Sequence, residues 1–287
     1  MPETAGTRYL EHLSDGDVGL LAGFLGQGSQ TVAELRSRPA AVEGLLSHPA
    51  AFDTVFAARG GEEPFLRASP FLVFALAVHR CAAELRDATN VPEWLGPRRR
   101  VTVFDVADLR GFLHEPHRRL FLVELLTSYT RVRSGSVLVY TERGWRRRRF
   151  SELDPLRLAS LLDVVPEAER VGVYRRLGDV ALFLTGVFPD HTATRAFSPV
   201  GEARLRRSAG LRTSDSDRTV PGGGAVTLLE TLGRRWYRLA SSTAPVRTDA
   251  MRVVDEIGQR FHHARRILNL VTERHLFPFR DRWTSSW

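Results

Sequence analysis

The sequence contains no lysine, and all 41 of its basic residues are arginine. That absence excludes chemistry that needs an ε-amino group: a P-loop lysine on a nucleotide phosphate, a Schiff base to pyridoxal phosphate, or the phosphate-pairing lysine of a protein kinase. Cysteine is nearly absent too, with Cys81 standing alone. One thiol allows neither an internal disulfide nor a cysteine-rich zinc site. Long hydrophobic runs are missing as well. The longest, Phe71 to Val78, is far short of the roughly 20 apolar residues a spanning helix needs, so no transmembrane segment is expected. Met1 to Leu10 has no basic stretch leading into an apolar one, so no secretion signal is expected and the expected location is the cytoplasm.

Several catalytic signatures are also lacking. There is no Gly-x-Ser-x-Gly nucleophile elbow. Gly23 to Gly28 has neither the full dinucleotide spacing nor a preceding strand. Asp15-Gly16-Asp17 and Asp215-Ser216-Asp217 are too short for calcium loops. His114-Glu115-Pro116-His117 superficially resembles a zinc-peptidase helix, but its second histidine comes one residue early and proline interrupts the helix. No metal site and no cofactor are expected.

What is present is a globular composition: 43% apolar and 26% charged residues in 287. A single mainly helical domain over 1–287 is expected, with 1–97 as a candidate helical subdomain and 212–224 as a flexible, nearly apolar-free loop. The fold class expected is all-α, a multi-helix bundle around one buried helix at about 167–188, with a small β-hairpin inserted at about 136–150. Pro166 suits a first helical turn and Pro189 marks the far end. Val171, Tyr174, Leu177, Ala181, Leu184 and Phe188 form one face of that helix, and Thr185 is the only polar side chain from Val180 to Phe188. A helix apolar all round is buried all round. Gly172, Gly178 and Gly186 within it predict close approach by neighbours.

Elsewhere Arg38-Pro39-Ala40-Ala41 and His48-Pro49-Ala50-Ala51 predict two Pro-started helices. A long helix is expected over Phe65 to Ala88, then a connection from Val91 to Pro97. Two long helices are expected near the end, from Ala225 to Ser241 and from Thr248 or Asp249 through Val271.

Net charge is +8, unevenly spread: residues 1–97 hold 7 Arg against 12 acids, and residues 98–287 hold 34 Arg against 21. The sharpest feature is Trp145 followed by Arg146, Arg147, Arg148 and Arg149. On a strand these alternate between two faces, and an aromatic beside guanidinium groups can stack a base while arginines track a phosphate backbone. Arg98, Arg99, Arg100, Arg118 and Arg119 extend the candidate patch. The competing reading is an edge strand protected from aggregation by charge.

The function expected is non-enzymatic binding of an anionic partner, nucleic acid (DNA or RNA) first. One alternative is a helical adaptor or assembly subunit bound to another protein through an exposed apolar patch. Another is an enzyme using Asp179, Asp190 or His191 in a pocket beside the central helix. Of His262 and His263, adjacent on one helix, only one can join such a site.

Overall fold

In the computed structural model, residues 4–23, 32–56, 65, 67–132, 134–141, 144–195, 197–211 and 224–279 are described. The loop expected over 212–224 lies outside them apart from Gly224. Helices α1 (Ala5–His12), α2 (Asp15–Gly23), α3 (Val32–Arg36), α4 (Pro39–Leu46), α5 (Pro49–Phe56) and α6 (Pro70–Asp87) come first. A hairpin of β1 (Val91–Gly96) and β2 (Arg99–Val103) leads to α7 (Val106–His114) and α8 (Pro116–Ser128). A second hairpin, β3 (Ser134–Thr141) and β4 (Gly144–Ser151), is followed by the short α9 (Pro155–Ala159). The remainder is helical: α10 (Arg170–Val187), α11 (Pro189–Ala193), α12 (Pro199–Ser208), α13 (Ala225–Thr243), α14 (Asp249–Gln259) and α15 (Phe261–Val271). The fold is all-α with small hairpins. It divides into two compact units, one of Met1–Val91, Val103–Thr130 and Leu270–Trp287, the other of Pro92–Thr102 and Arg131–Asn269.

In the first unit α6 is the buried axis, with every side chain from Phe71 to His79 out of solvent. It begins at Pro70, five residues later than its apolar periodicity predicts, because Ser69 caps it: the Ser69 hydroxyl accepts from the Leu72 N–H at 3.2 Å and Pro70 fills the first turn. α4 and α5 start at Pro39 and Pro49, as their repeated Pro-Ala-Ala predicts. The fully buried Asp17 carboxylate accepts from the Ser14 N–H at 2.9 Å, the Ser14 hydroxyl at 2.7 Å and the Ser69 N–H at 2.8 Å, which ties the start of α2 to that of α6.

In the second unit α10 is the buried helix expected at 167–188. A 3-10 turn, Glu167–Glu169, occupies its first residues. From Leu177 onward nearly every side chain is buried. α13 runs antiparallel along it, placing Tyr237 on Gly178 and Gly233 beside Ala181. A Cβ at Gly178 would sit 2.5 Å from the Tyr237 ring, and one at Gly186 would sit 2.8 Å from Leu268. Close approach therefore holds at two of the three glycines, and Gly172 faces open space. The last long helix is two, α14 and α15, separated at Arg260, whose ψ of 28° departs from the helix. A single irregular residue leaves the apolar spacing intact, so periodicity does not reveal it.

The hairpin expected at 136–150 spans 134–151, with Ser134 opposite Ser151 and Thr141 opposite Gly144. The hairpin of β1 and β2 corrects the connection expected at Val91–Pro97. Pro92, Gly96 and Pro97 disguise it as a loop, but Pro is tolerated in an edge strand and Arg98, at φ 57°, makes the turn.

Candidate functional site

The β3–β4 ribbon places each arginine of the run opposite an uncharged residue. Arg146 faces Val139, Arg147 faces Leu138, Arg148 faces Val137 and Arg149 faces Ser136. Neither strand carries an acid, and the two residues between them in the sequence are Glu142 and Arg143. Gly144 holds φ at 92°, where a side chain would be strained, and closes the turn just ahead of Trp145. Arg147 is exposed and its Nε donates to the Ser136 hydroxyl at 2.5 Å. The side chains of Trp145, Arg146, Arg148 and Arg149 lie outside the described residues.

Arg98, Arg99 and Arg100 belong to the same unit, at the turn and in β2. Arg98 and Arg99 are exposed. Asp190 organises this turn: its Oδ1 accepts from the Trp94 indole N–H at 2.6 Å and from the Arg98 backbone N–H at 3.4 Å, with the Arg100 guanidinium 3.6 Å away. Burial opposes the charge on Asp190, but Trp94, Arg100 and Arg98 outweigh it and hold its pKa below the usual carboxylate range.

Arg118 and Arg119 belong to the first unit. The Arg118 guanidinium lies 5.6 Å from the centre of the Phe112 ring. Arg119 donates to Glu43 Oε2 at 2.6 Å and to the carbonyls of Leu113 and His114 at 2.5 and 3.2 Å. The basic excess also separates by unit. The second holds 28 Arg against 16 acids and the first holds 13 Arg against 17.

The acid and histidine candidates have separate partners. Asp179 is buried beside Gly178, accepts from the Tyr237 hydroxyl at 2.8 Å, and has the Arg176 guanidinium at 3.9 Å. Asp190 serves the β1–β2 turn, and His191 is exposed. His262 instead sits in an ionic cluster that the spacing of the sequence does not show. Its Nδ1 is 3.1 Å from Glu230 and its Nε2 is 3.3 Å from Glu93, while Arg265 and Arg266 reach the same two carboxylates at 2.8 to 3.4 Å. Hydrogen bonds to Glu230 and Glu93 raise the His262 pKa to about 9, so the ring is a cation at neutral pH. Burial works against both carboxylates, yet His262 and the arginines hold their pKa values below the usual range. Glu93 in β1 and Glu230 in α13 are distant in sequence, and only their pairing with α15 brings them together. Every charge in this cluster has an opposite charge in reach, so it reads as a structural lock.

Among the described residues no group of three His, Cys, Asp or Glu side chains is placed to hold a metal ion. Nor is any described helix long and apolar enough to cross a membrane. His114 ends α7 and His117 lies in α8, so the zinc-peptidase look-alike is broken at Glu115. Compared with known proteins, the chain matches no family model, no curated protein and no solved structure.

Proposed function

We propose that the protein is a non-enzymatic, cytoplasmic binding protein that holds an anionic partner, nucleic acid first, against the arginine ribbon of its second unit. The observation that carries this reading is the position of Arg146 to Arg149 in a two-stranded ribbon with no acid on either strand. Four consecutive arginines on a ribbon whose strands carry no acid favour a phosphate backbone, and Trp145 offers a ring on which a base can stack. Arg98, Arg99 and Arg100 add cations on the same unit. Such contacts position a strand and read little sequence.

The test is a titration of labelled single- and double-stranded DNA and RNA at several salt concentrations, beside a variant with Arg146 to Arg149 changed to Gln. Affinity should fall linearly on a log–log plot against salt, and the variant should show a slope shallower by about 0.7 to 0.9 for each phosphate it no longer neutralises. Absence of binding at low salt, or binding indifferent to the four arginines, overturns the reading. One observation favours a protein partner instead: Leu95 and Val101 of the first hairpin are 56% and 39% exposed. Retention of a partner that survives high salt and disappears on changing both to Ser would support that alternative.

A further inference from the structure

The first unit, although net acidic, contains a cavity of about 330 Å3 without a single carboxylate among the described residues that line it. Its polar lining is Arg86, Arg110, Arg119, His114, His79 and Ser47. His79, Ala82, Ala83 and Arg86 lie at i, i+3, i+4 and i+7 of α6 and so share one helical face.

Two of the guanidinium groups are fixed by backbone. Arg110 donates to the carbonyls of Leu85 and Ala88 at 3.1 and 3.3 Å, at the C-terminal end of α6. Arg119 is held by the carbonyls at the end of α7 and by Glu43, and its buried Nε–H has no hydrogen-bond partner among the described residues. Arg86 is exposed, and neither it nor Arg110 pairs with a carboxylate among the described residues. Two cations with no paired carboxylate among the described residues therefore border the space, and a planar fork held in place, as at Arg110, loses little entropy on binding an anion.

A third donor comes from a relay through the helix. The Tyr9 hydroxyl is fully buried and lies 3.1 Å from His79 Nε2, its only hydrogen-bonding neighbour among the described residues, so it donates there to avoid an unsatisfied O–H. Burial, reinforced by Arg119, keeps the His79 ring neutral, with its pKa lowered to about 3. A neutral ring that accepts at Nε2 carries its proton on Nδ1, and Nδ1 lies 2.8 Å from the Ser47 hydroxyl oxygen. Ser47 accepts from His79 and is left with its own O–H to donate outward. The same tautomer means that His79 does not take a proton from Ser47, so the pair is a donor for a ligand rather than a nucleophile and its base.

We propose that this cavity binds a small phosphate monoester, with Arg86, Arg110 and the Ser47 hydroxyl on the phosphate and the organic body against Ala82, Ala83 and Leu113. A phosphate monoester carries about −1.5 to −2 charges at neutral pH, which matches the two cations of Arg86 and Arg110. The volume falls at the lower end of small-molecule sites and suits a ligand of mononucleotide size, not a nucleic-acid strand.

The experiment is isothermal titration of the full chain with inorganic phosphate, adenosine 5′-monophosphate, adenosine and succinate. The two phosphates should bind one per chain, and the monophosphate at least about tenfold more tightly than adenosine, as one charge-assisted contact allows. Arg86→Gln should weaken the monophosphate about tenfold with an unchanged melting temperature, because that side chain is exposed, and Ser47→Ala should weaken it about threefold while lowering the melting temperature, because the buried His79 Nδ1–H loses its acceptor. The variant with Arg146 to Arg149 changed to Gln should bind the monophosphate as the parent does, which separates this site from the ribbon. Phosphates that fail to bind at about 1 mM, adenosine or succinate that binds as tightly, or indifference to Arg86→Gln would each overturn the proposal.

Discussion

At the scale of single residues, environment decides chemistry more than identity does. Cys81 is fully buried in α6, and burial, with Glu84 adding to it, pushes its thiol up to about 12. A thiolate is the reactive form, so Cys81 should resist a thiol reagent at pH 8 until the protein is unfolded in denaturant. Rapid stoichiometric labelling of the native protein would contradict this burial. His262 shows the opposite effect. Its folded pKa of about 9 lies above the ordinary 6.5, so it contributes stability that is full below about pH 6.5 and is lost as pH rises through about 9. Glu93 and Glu230 have lowered pKa values, so their contribution is present above the ordinary 4.5 and is lost as pH falls below it. Urea unfolding at pH 6 and pH 9.5 should show a decline for the parent and a flatter profile for His262→Gln. The sequence displayed His262 as one of two adjacent histidines; nothing in its spacing pointed to Glu93 or Glu230.

At the scale of elements, the buried helix α10 is where sequence reading went furthest. Apolar residues on every side required burial, and the structure provides it from Leu177 onward. Which of its glycines carry close contacts is settled by neighbours distant in sequence. Gly178→Ala should destabilise by about 1 to 3 kcal/mol, because the new methyl would overlap the Tyr237 ring and crowd the bond to Asp179. Gly172→Ala meets nothing within 4 Å and should stabilise by up to about 1 kcal/mol through helix propensity. Chemical denaturation of both variants checks the pair, and similar effects at the two positions would refute the packing account. Helix starts were legible where Pro opened the repeated Pro-Ala-Ala, as at Pro39 and Pro49. The Pro at Ser69-Pro70, there behind a capping serine, was outweighed by an apolar stretch running on from Phe65, which placed the start too early.

At the scale of the whole molecule, charge is the dominant global property, with a sequence pI near 10.7. Changing Arg146 to Arg149 to Gln lowers the net charge from +8 to +4. Changing Arg204, Arg207, Arg247 and Arg260, all exposed in the second unit, makes the same difference elsewhere. If the ribbon binds nucleic acid, the first variant should lose far more affinity than the second at equal salt. Equal losses would reduce the effect to net charge. The sequence by itself determined the lysine-free chemistry, the helical class, the buried central helix and the hairpin that bears the arginines. These follow from composition and from periodicity within one element, where neighbours in space are neighbours in the chain. The tertiary structure decided the two units, the hairpin disguised by Pro92 and Pro97, the cluster of Glu93, Glu230 and His262, and the cavity joining Ser47, His79, Arg86, Arg110 and Arg119. Each of these depends on side chains tens or hundreds of residues apart meeting in space, which no local pattern encodes.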